Sequence, residues 1–199
     1  TIRGSKPRLP ENYLQALDRV LDIGPEWLLG SHIMPVEGKA YIEETVTRYR
    51  DATQYLWDQS IRLINKGYTP VELQHALKDL PEHLVEPPFS VPMYGTPITT
   101  VPEFFTGWVS WFTGDATDLF PSEPKSRADR VVALMGGSGV VLDEAKKAHS
   151  QGDHQFAAEL AQLVVRSEPD SEDAKLVKAA ALRALGYQQR SPIARSWER

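Results

Sequence analysis

Apolar and polar positions change rhythm twice along the chain. In the first 38 residues a short helical pattern over 13–21 gives way to Glu26-Trp27-Leu28-Leu29-Gly30, an apolar run bounded by Pro25 before it and by Pro35 and Gly38 after it. Those breakers leave too little length for a helix, so the run predicts a strand ending in a loop. No partner strand is evident after it, and a lone strand is not stable, so its sheet neighbours are expected upstream. From Lys39 the rhythm is helical. Ile42, Val46, Tyr49, Thr53, Leu56, Ser60 and Leu63 recur at steps of 4-3-4-3-4-3, which predicts one face of a helix of roughly seven turns. Glu43, Glu44, Arg48, Arg50, Asp51, Arg62 and Lys66 take its other faces. Gly67 supplies a left-handed stop, and Thr69-Pro70-Val71-Glu72 reads as a capping box with Pro at the first helical position, opening a second helix from 70 to about 78.

Pro81, Pro87, Pro88, Pro92, Pro97 and Pro102 then predict an apolar-rich loop without regular structure across 81–102. Phe104, Phe105, Trp108, Trp111 and Phe112 follow as an aromatic run suited to core or interface packing. In the last third, Gly152 and Gly186 lie 34 residues apart, with Ala157 and Pro169 at the small-residue and Pro positions of a tetratricopeptide-type helix pair. Helices are expected over 139–150, 153–166 and 172–185, with Ser171 an N-cap and Gly186 a stop. One such unit cannot bury its own apolar face, so it must stack on other helices or on another chain.

Composition narrows the function classes. With 199 residues, 41% hydrophobic and 25% charged, the chain can build one sizeable core plus an appendage. Lys and Arg number 22 against 27 Asp and Glu, a net charge of −5, so no basic field invites nucleic acid. The absence of cysteine removes disulfides, thiolate nucleophiles and Cys-ligated zinc, leaving His and carboxylates for any metal. No apolar run is long enough to span a bilayer, and the first residues lack the apolar core of a leader. Of the five histidines, His75, His83, His149 and His154 fall on predicted helix surfaces or in the proline loop. None of these is paired at i,i+4, which suits solvated side chains. His32 follows the predicted strand directly and projects into a loop, where a general base, a metal ligand and a loop anchor are all open.

The order of segments adds a further argument. GSHIMPVEG, YRDATQYLWDQSIRLINKGYTPVEL, LPEHL, MYGT, GWVSWFTGDATDLFP, LMGGSGVVLDEAKKAHSQGDHQFAAELA and LVKAAALRALGYQ together resemble the metallo-β-lactamase-fold alkyl sulfatases. The resemblance covers nearly the whole chain, from the last metal-ligand loop through the dimerisation domain. It implies a mainly helical fold with tetratricopeptide-like helix pairs, preceded by a helix-and-strand remnant of a metallo-β-lactamase α/β sandwich. The expected organisation is a catalytic-domain remnant over 1–38, the helical dimerisation domain over 39–190, and over 191–199 the start of a linker to a further domain. It also implies a parent hydrolase with two zinc ions, in which His32 is the final zinc-ligand histidine and Tyr94 reaches toward the sulfate. The remaining ligands are expected upstream, so no zinc is held tightly by this chain alone and the isolated segment is expected to be inactive.

The sequence departs from that pattern at Thr100-Val101-Pro102, where the family carries an arginine at the last position, and at Trp57-Asp58-Gln59-Ser60, where it has His-Asp-Gln-Thr. It departs again at Ser110-Trp111-Phe112-Thr113-Gly114-Asp115, where the family has Gly-Trp-Phe-Asp-Gly-Asn. Proline carries no charge and cannot donate, so the bidentate clamp an arginine offers an oxyanion is missing. The expected partner is a second copy of the chain, with the long helical stripe and the aromatic run as the surface buried between the two. The expected compartment is the bacterial cytoplasm or periplasm. The alternatives are a non-catalytic helical interaction module, including a tetratricopeptide-like adaptor, or a relative acting on a different ester.

Overall fold

A computed structural model describes residues 8–85, 91 and 93–198. The chain divides into two compact units that meet in the sequence between Gly114 and Asp115.

In the first unit, helix α1 (Pro10–Ile23) begins with Pro at its first turn and ends at Gly24, whose φ of 58° is left-handed and whose amide donates to Leu21 O and Val20 O. Strand β1 (Trp27–Leu28) pairs antiparallel with β2 (Val36–Glu37), Trp27 opposite Glu37 and Leu28 opposite Val36. The strand expected to stand alone therefore has a partner eight residues on. The partner escapes detection because two residues cannot show the alternation by which strands are recognised. Helix α2 (Lys39–Ile64) runs from the hairpin for 26 residues. Its stripe divides between two cores: Ile42 and Val46 pack with Val36, Leu17, Val20 and Leu21, while Leu56 and Leu63 pack with Leu73, Leu77, Val101 and Phe105. Between them Tyr49 is exposed and Thr53 half-buried, whereas Ala52 and Trp57 are buried. A helix of 3.6 residues per turn drifts against a 3.5-residue stripe, and the two ends of α2 face different neighbours. Ile42, Val46, Leu56, Ser60 and Leu63 are thus covered within the chain, which corrects their assignment to a surface between copies.

Asn65 to Tyr68 close α2 with a tight turn in which Tyr68 N donates to Leu63 O at 3.1 Å and Gly67 takes φ 86°. The capping box forms as expected: Thr69 N donates to Glu72 Oε2 at 2.8 Å and Glu72 N to Thr69 Oγ1 at 3.4 Å, opening α3 (Pro70–Ala76). The region expected to lack regular structure contains a 3-10 turn over Glu82–Leu84 and the start of α4 (Pro97–Trp108). Two prolines are tolerated in α4 for different reasons. Pro97 occupies the first helical position, where no amide is required. Pro102 lies inside the helix and leaves the carbonyl four residues earlier without its partner, and that carbonyl, Ile98 O, accepts from Gln74 Nε2 of α3 at 2.9 Å.

In the second unit α5 (Pro124–Leu134) starts at Glu123, whose carboxylate accepts from Lys125 N and Ser126 N. Helices α6 (Ser138–Ser150), α7 (His154–Ser167) and α8 (Glu172–Gln188) pack in succession. Their contacts are made largely by Ala145, Ala148, Ala157, Ala158, Ala161, Ala174 and Ala181, none more than 5% exposed. Ser171 caps α8 by accepting from Ala174 N, as expected, and Asp153, expected as the first residue of its helix, instead caps α7 by accepting from Phe156 N. Gly186 does not stop α8, which continues to Gln188. A Cβ there would lie 3.4 Å from Glu198 Cβ and 3.5 Å from its carbonyl oxygen, so this glycine admits a close backbone approach. That approach is made by the end of α9 (Pro192–Trp197), a short helix capped by Ser191 within the stretch expected to begin a linker.

Candidate functional site

The residues singled out by sequence stand on the non-helical parts of the first unit. His32 lies in the bend joining β1 to β2, flanked by Leu29, Ile33 and Met34, and all four are exposed. The hairpin positions this loop: Gly38 N donates to Glu26 O at 2.9 Å, and Val36, buried at the base, anchors it against α2. His32 is therefore presented outward and not packed. Tyr94 lies in the bend just before α4 and is 55% exposed, with the following turn fixed by Thr100 Oγ1 donating to Thr96 O at 2.8 Å. Pro87, Pro88 and Pro92, counted in the expected loop, lie outside the described residues.

Among the described residues, no group of three or more His, Cys, Asp or Glu side chains is placed to hold a metal. A zinc would find at His32 a single imidazole, which fits one ligand position and not a complete site. Pro102, where the resemblance leads one to expect an arginine, lies within α4, and its neighbour Val101 is fully buried, so this turn of the helix offers an anion no cation of its own.

The structure gathers other rings instead. Trp57, in the position of the family histidine, is buried and meets Phe104 and Trp108 edge-on, with centroids 5.3 and 5.5 Å away. Its indole thus serves aromatic packing between α2 and α4. Tyr13 and Tyr49 meet edge-on at 6.1 Å, next to the Arg50 Nε to Asp18 Oδ1 bond that ties α2 to α1. Partial burial first, and then Tyr49, raise the Tyr13 phenol above its ordinary value, although the residue remains 45% exposed. Trp108 and Trp111 are both more than half exposed and leave aromatic surface uncovered in the first unit, as Phe120 does in the second.

One pairing escapes any helical-spacing argument. His149, in the last turn of α6, and His154, first in α7, bring their Nδ1 atoms to 3.0 Å although five residues apart. They are half-buried and in contact, which corrects their assignment as separate solvated side chains. The signal for it was the Gly152-Asp153 stop-and-cap between them, which folds the chain back on itself.

The chain is mainly helical, with one short hairpin in its first unit, and the comparisons make its class specific. Residues 69–197, from the N-cap of α3 to the last residue of α9, match the alkyl sulfatase dimerisation family, and the chain belongs to that family. It is 38% identical over 198 residues to a linear primary-alkylsulfatase of Pseudomonas sp., a match covering 99% of this chain and 37% of the relative. It is also 30% identical over 161 residues to an alkyl/aryl-sulfatase of Saccharomyces cerevisiae, covering 81% of this chain and 25% of that one. The solved structure of the stereoselective inverting sec-alkylsulfatase Pisa1 from Pseudomonas sp. superposes with a TM-score of 0.93 at 27% identity, covering all of this chain and 32% of that one. The chain thus spans between a quarter and two-fifths of the length of these relatives. No helix among the described residues is long and apolar enough to cross a membrane.

Proposed function

We propose that this chain is the dimerisation and substrate-loop segment of a zinc-dependent sulfate-ester hydrolase of the metallo-β-lactamase fold. In this reading residues 1–38 close the catalytic domain, and the helices from Lys39 onward, with α6 to α8 as tetratricopeptide-like pairs, hold two copies together. The observation that carries it is the breadth of the match: the alignment to a protein named as an alkylsulfatase, at 38% identity, covers 99% of the chain, and so the hairpin with His32 and the bend with Tyr94 as well as the helices. His32 would supply one imidazole to zinc, whose chemistry when bound is to make a water nucleophilic near neutral pH. Tyr94 would donate its phenolic proton to a sulfate oxygen, where developing negative charge gains most from a fixed donor. The exposed loops around both side chains suit residues that complete a site with groups supplied from elsewhere in the longer protein.

A second reading, a relative acting on a different ester, has one observation in its favour, the uncharged Pro102 within α4. Two measurements test the proposal. Size-exclusion chromatography with light scattering is expected to give a dimer of the chain, and a stable monomer at micromolar concentration would overturn the dimerisation role. Zinc-supplemented chain is expected not to hydrolyse linear or aryl sulfate esters; the longer protein is expected to do so and to lose zinc and activity in His32→Ala. Turnover by the chain alone would refute its assignment as an incomplete segment.

A further inference from the structure

The turn between α6 and α7 holds a pair of donors that the sulfatase reading does not use. Helix α6 ends at Ser150, and Gly152, at φ 87°, reverses the chain. Gly152 N donates to His149 O at 3.1 Å and Asp153 N to Ala148 O at 3.0 Å, while Asp153 Oδ1 caps Phe156 N at 3.2 Å. Beneath the turn, Ala148, Ala157, Ala158 and Ala181 pack with almost no exposed area. His149 and His154 are therefore carried on two fixed helix ends, their ring centroids 4.6 Å apart and their planes at 50°.

At an Nδ1 to Nδ1 distance of 3.0 Å, one imidazole can donate a proton to the other's lone pair. With both protons on Nε2, each Nδ1 carries a lone pair able to bind a cation. Metal–nitrogen bonds of about 2.0–2.1 Å set two ligand nitrogens about 2.9 Å apart at a right angle and about 3.3 Å apart at the tetrahedral angle. The observed separation lies within that range. We propose that His149 and His154 form a two-nitrogen site for a borderline divalent transition metal, zinc, nickel or copper, which fastens the end of α6 to the start of α7. Imidazole selects these ions, whereas magnesium and calcium require oxygen ligands. Since no third metal-ligating side chain joins the pair among the described residues, water or a donor from another molecule fills the remaining positions and the ion exchanges readily. The site involves neither His32 nor the sulfatase reading.

The test is equilibrium dialysis of the chelator-stripped chain against Zn²⁺ and Ni²⁺ near neutral pH, alongside the double variant H149Q/H154Q and the variant H32Q. The expected result is about one ion per chain, abolished in the double variant and retained in H32Q, since affinity rests on the ligating nitrogens themselves. Each single variant, H149Q or H154Q, should bind at least about tenfold more weakly, because losing even an outer partner of a ligand costs about 10- to 100-fold. In the unaltered chain, substoichiometric Cu²⁺ should broaden the imidazole resonances of His149 and His154 before those of the other histidines. Absence of a bound ion, binding that survives in the double variant, or broadening that begins at another histidine would overturn the site.

Discussion

The first unit is held by large side chains, whereas the second combines a valine and leucine core with an alanine-rich seam. Around the far end of α2, Leu56, Leu63, Leu73, Leu77, Val101 and Phe105 close a core from three helices, with Trp57 and Phe104 at its margin. Between α6, α7 and α8, alanines bring the helices together, with Val141, Leu160, Val164 and Val177 filling one side. Between alanines the helix surfaces themselves are in contact. The loops of His32 and Tyr94 stand in the first unit, and the His149–His154 pair stands at a helix turn of the second.

Substitutions can break this comparison. The largest expected effect is for Phe105→Ala, which empties the centre of the first core and should cost about 3–5 kcal/mol. Hydrogen exchange should register the loss over 39–108 and leave 138–188 protected; equal loss in both would show that the units do not unfold separately. The opposite change in the second unit, Ala161→Leu, should cost about 1–3 kcal/mol by overpacking, and a neutral or stabilising result in chemical denaturation would mean the seam holds unused space. Ser171→Ala removes the cap of α8 and should cost about 1 kcal/mol, read as a lowered melting temperature confined to the second unit.

The smallest effect is the dependence on acid. Hydrogen bonds hold carboxyls below their ordinary values at Glu72, through the Thr69 amide, and at Asp115, through the Thr117 amide. The same holds at Glu123, through the Lys125 and Ser126 amides, and at Asp129, through the Ser167 hydroxyl. A carboxyl depressed in the folded state contributes fully above its unfolded pKa, and the contribution fades as pH falls through the folded value. Stability should therefore be flat from neutrality to about pH 5 and decline below it. Three of the four groups belong to the second unit and one to the first, so the second should lose protection first. Glu198, raised by burial, works in the opposite direction. An earlier acid loss in the first unit would reverse that ordering.

Local signals read correctly from sequence were those whose cause is local. The Thr69-Glu72 capping box, the Gly67 turn, the Ser171 cap and the full length of α2 each depend on residues within a few positions of one another. The order of segments likewise sufficed to place the chain in its family. Readings failed where a distant group decides. Pro102 is helical because Gln74, 28 residues earlier, takes the carbonyl that proline leaves open. Gly186 continues a helix because Glu198 needs the space of its missing side chain. Trp27 and Leu28 have a strand partner too short to carry a pattern.

What sequence alone determined about this protein was α2, α3 and α6 to α8, the Thr69 and Ser171 caps, and the loop placement of His32 and Tyr94, since residues near one another in the chain specify these. Tertiary structure alone decided which apolar stripes are covered within the chain, how Trp57 is absorbed, and that His149 meets His154. Those outcomes depend on which surfaces come into contact, and contact between distant residues leaves no periodic trace along the chain.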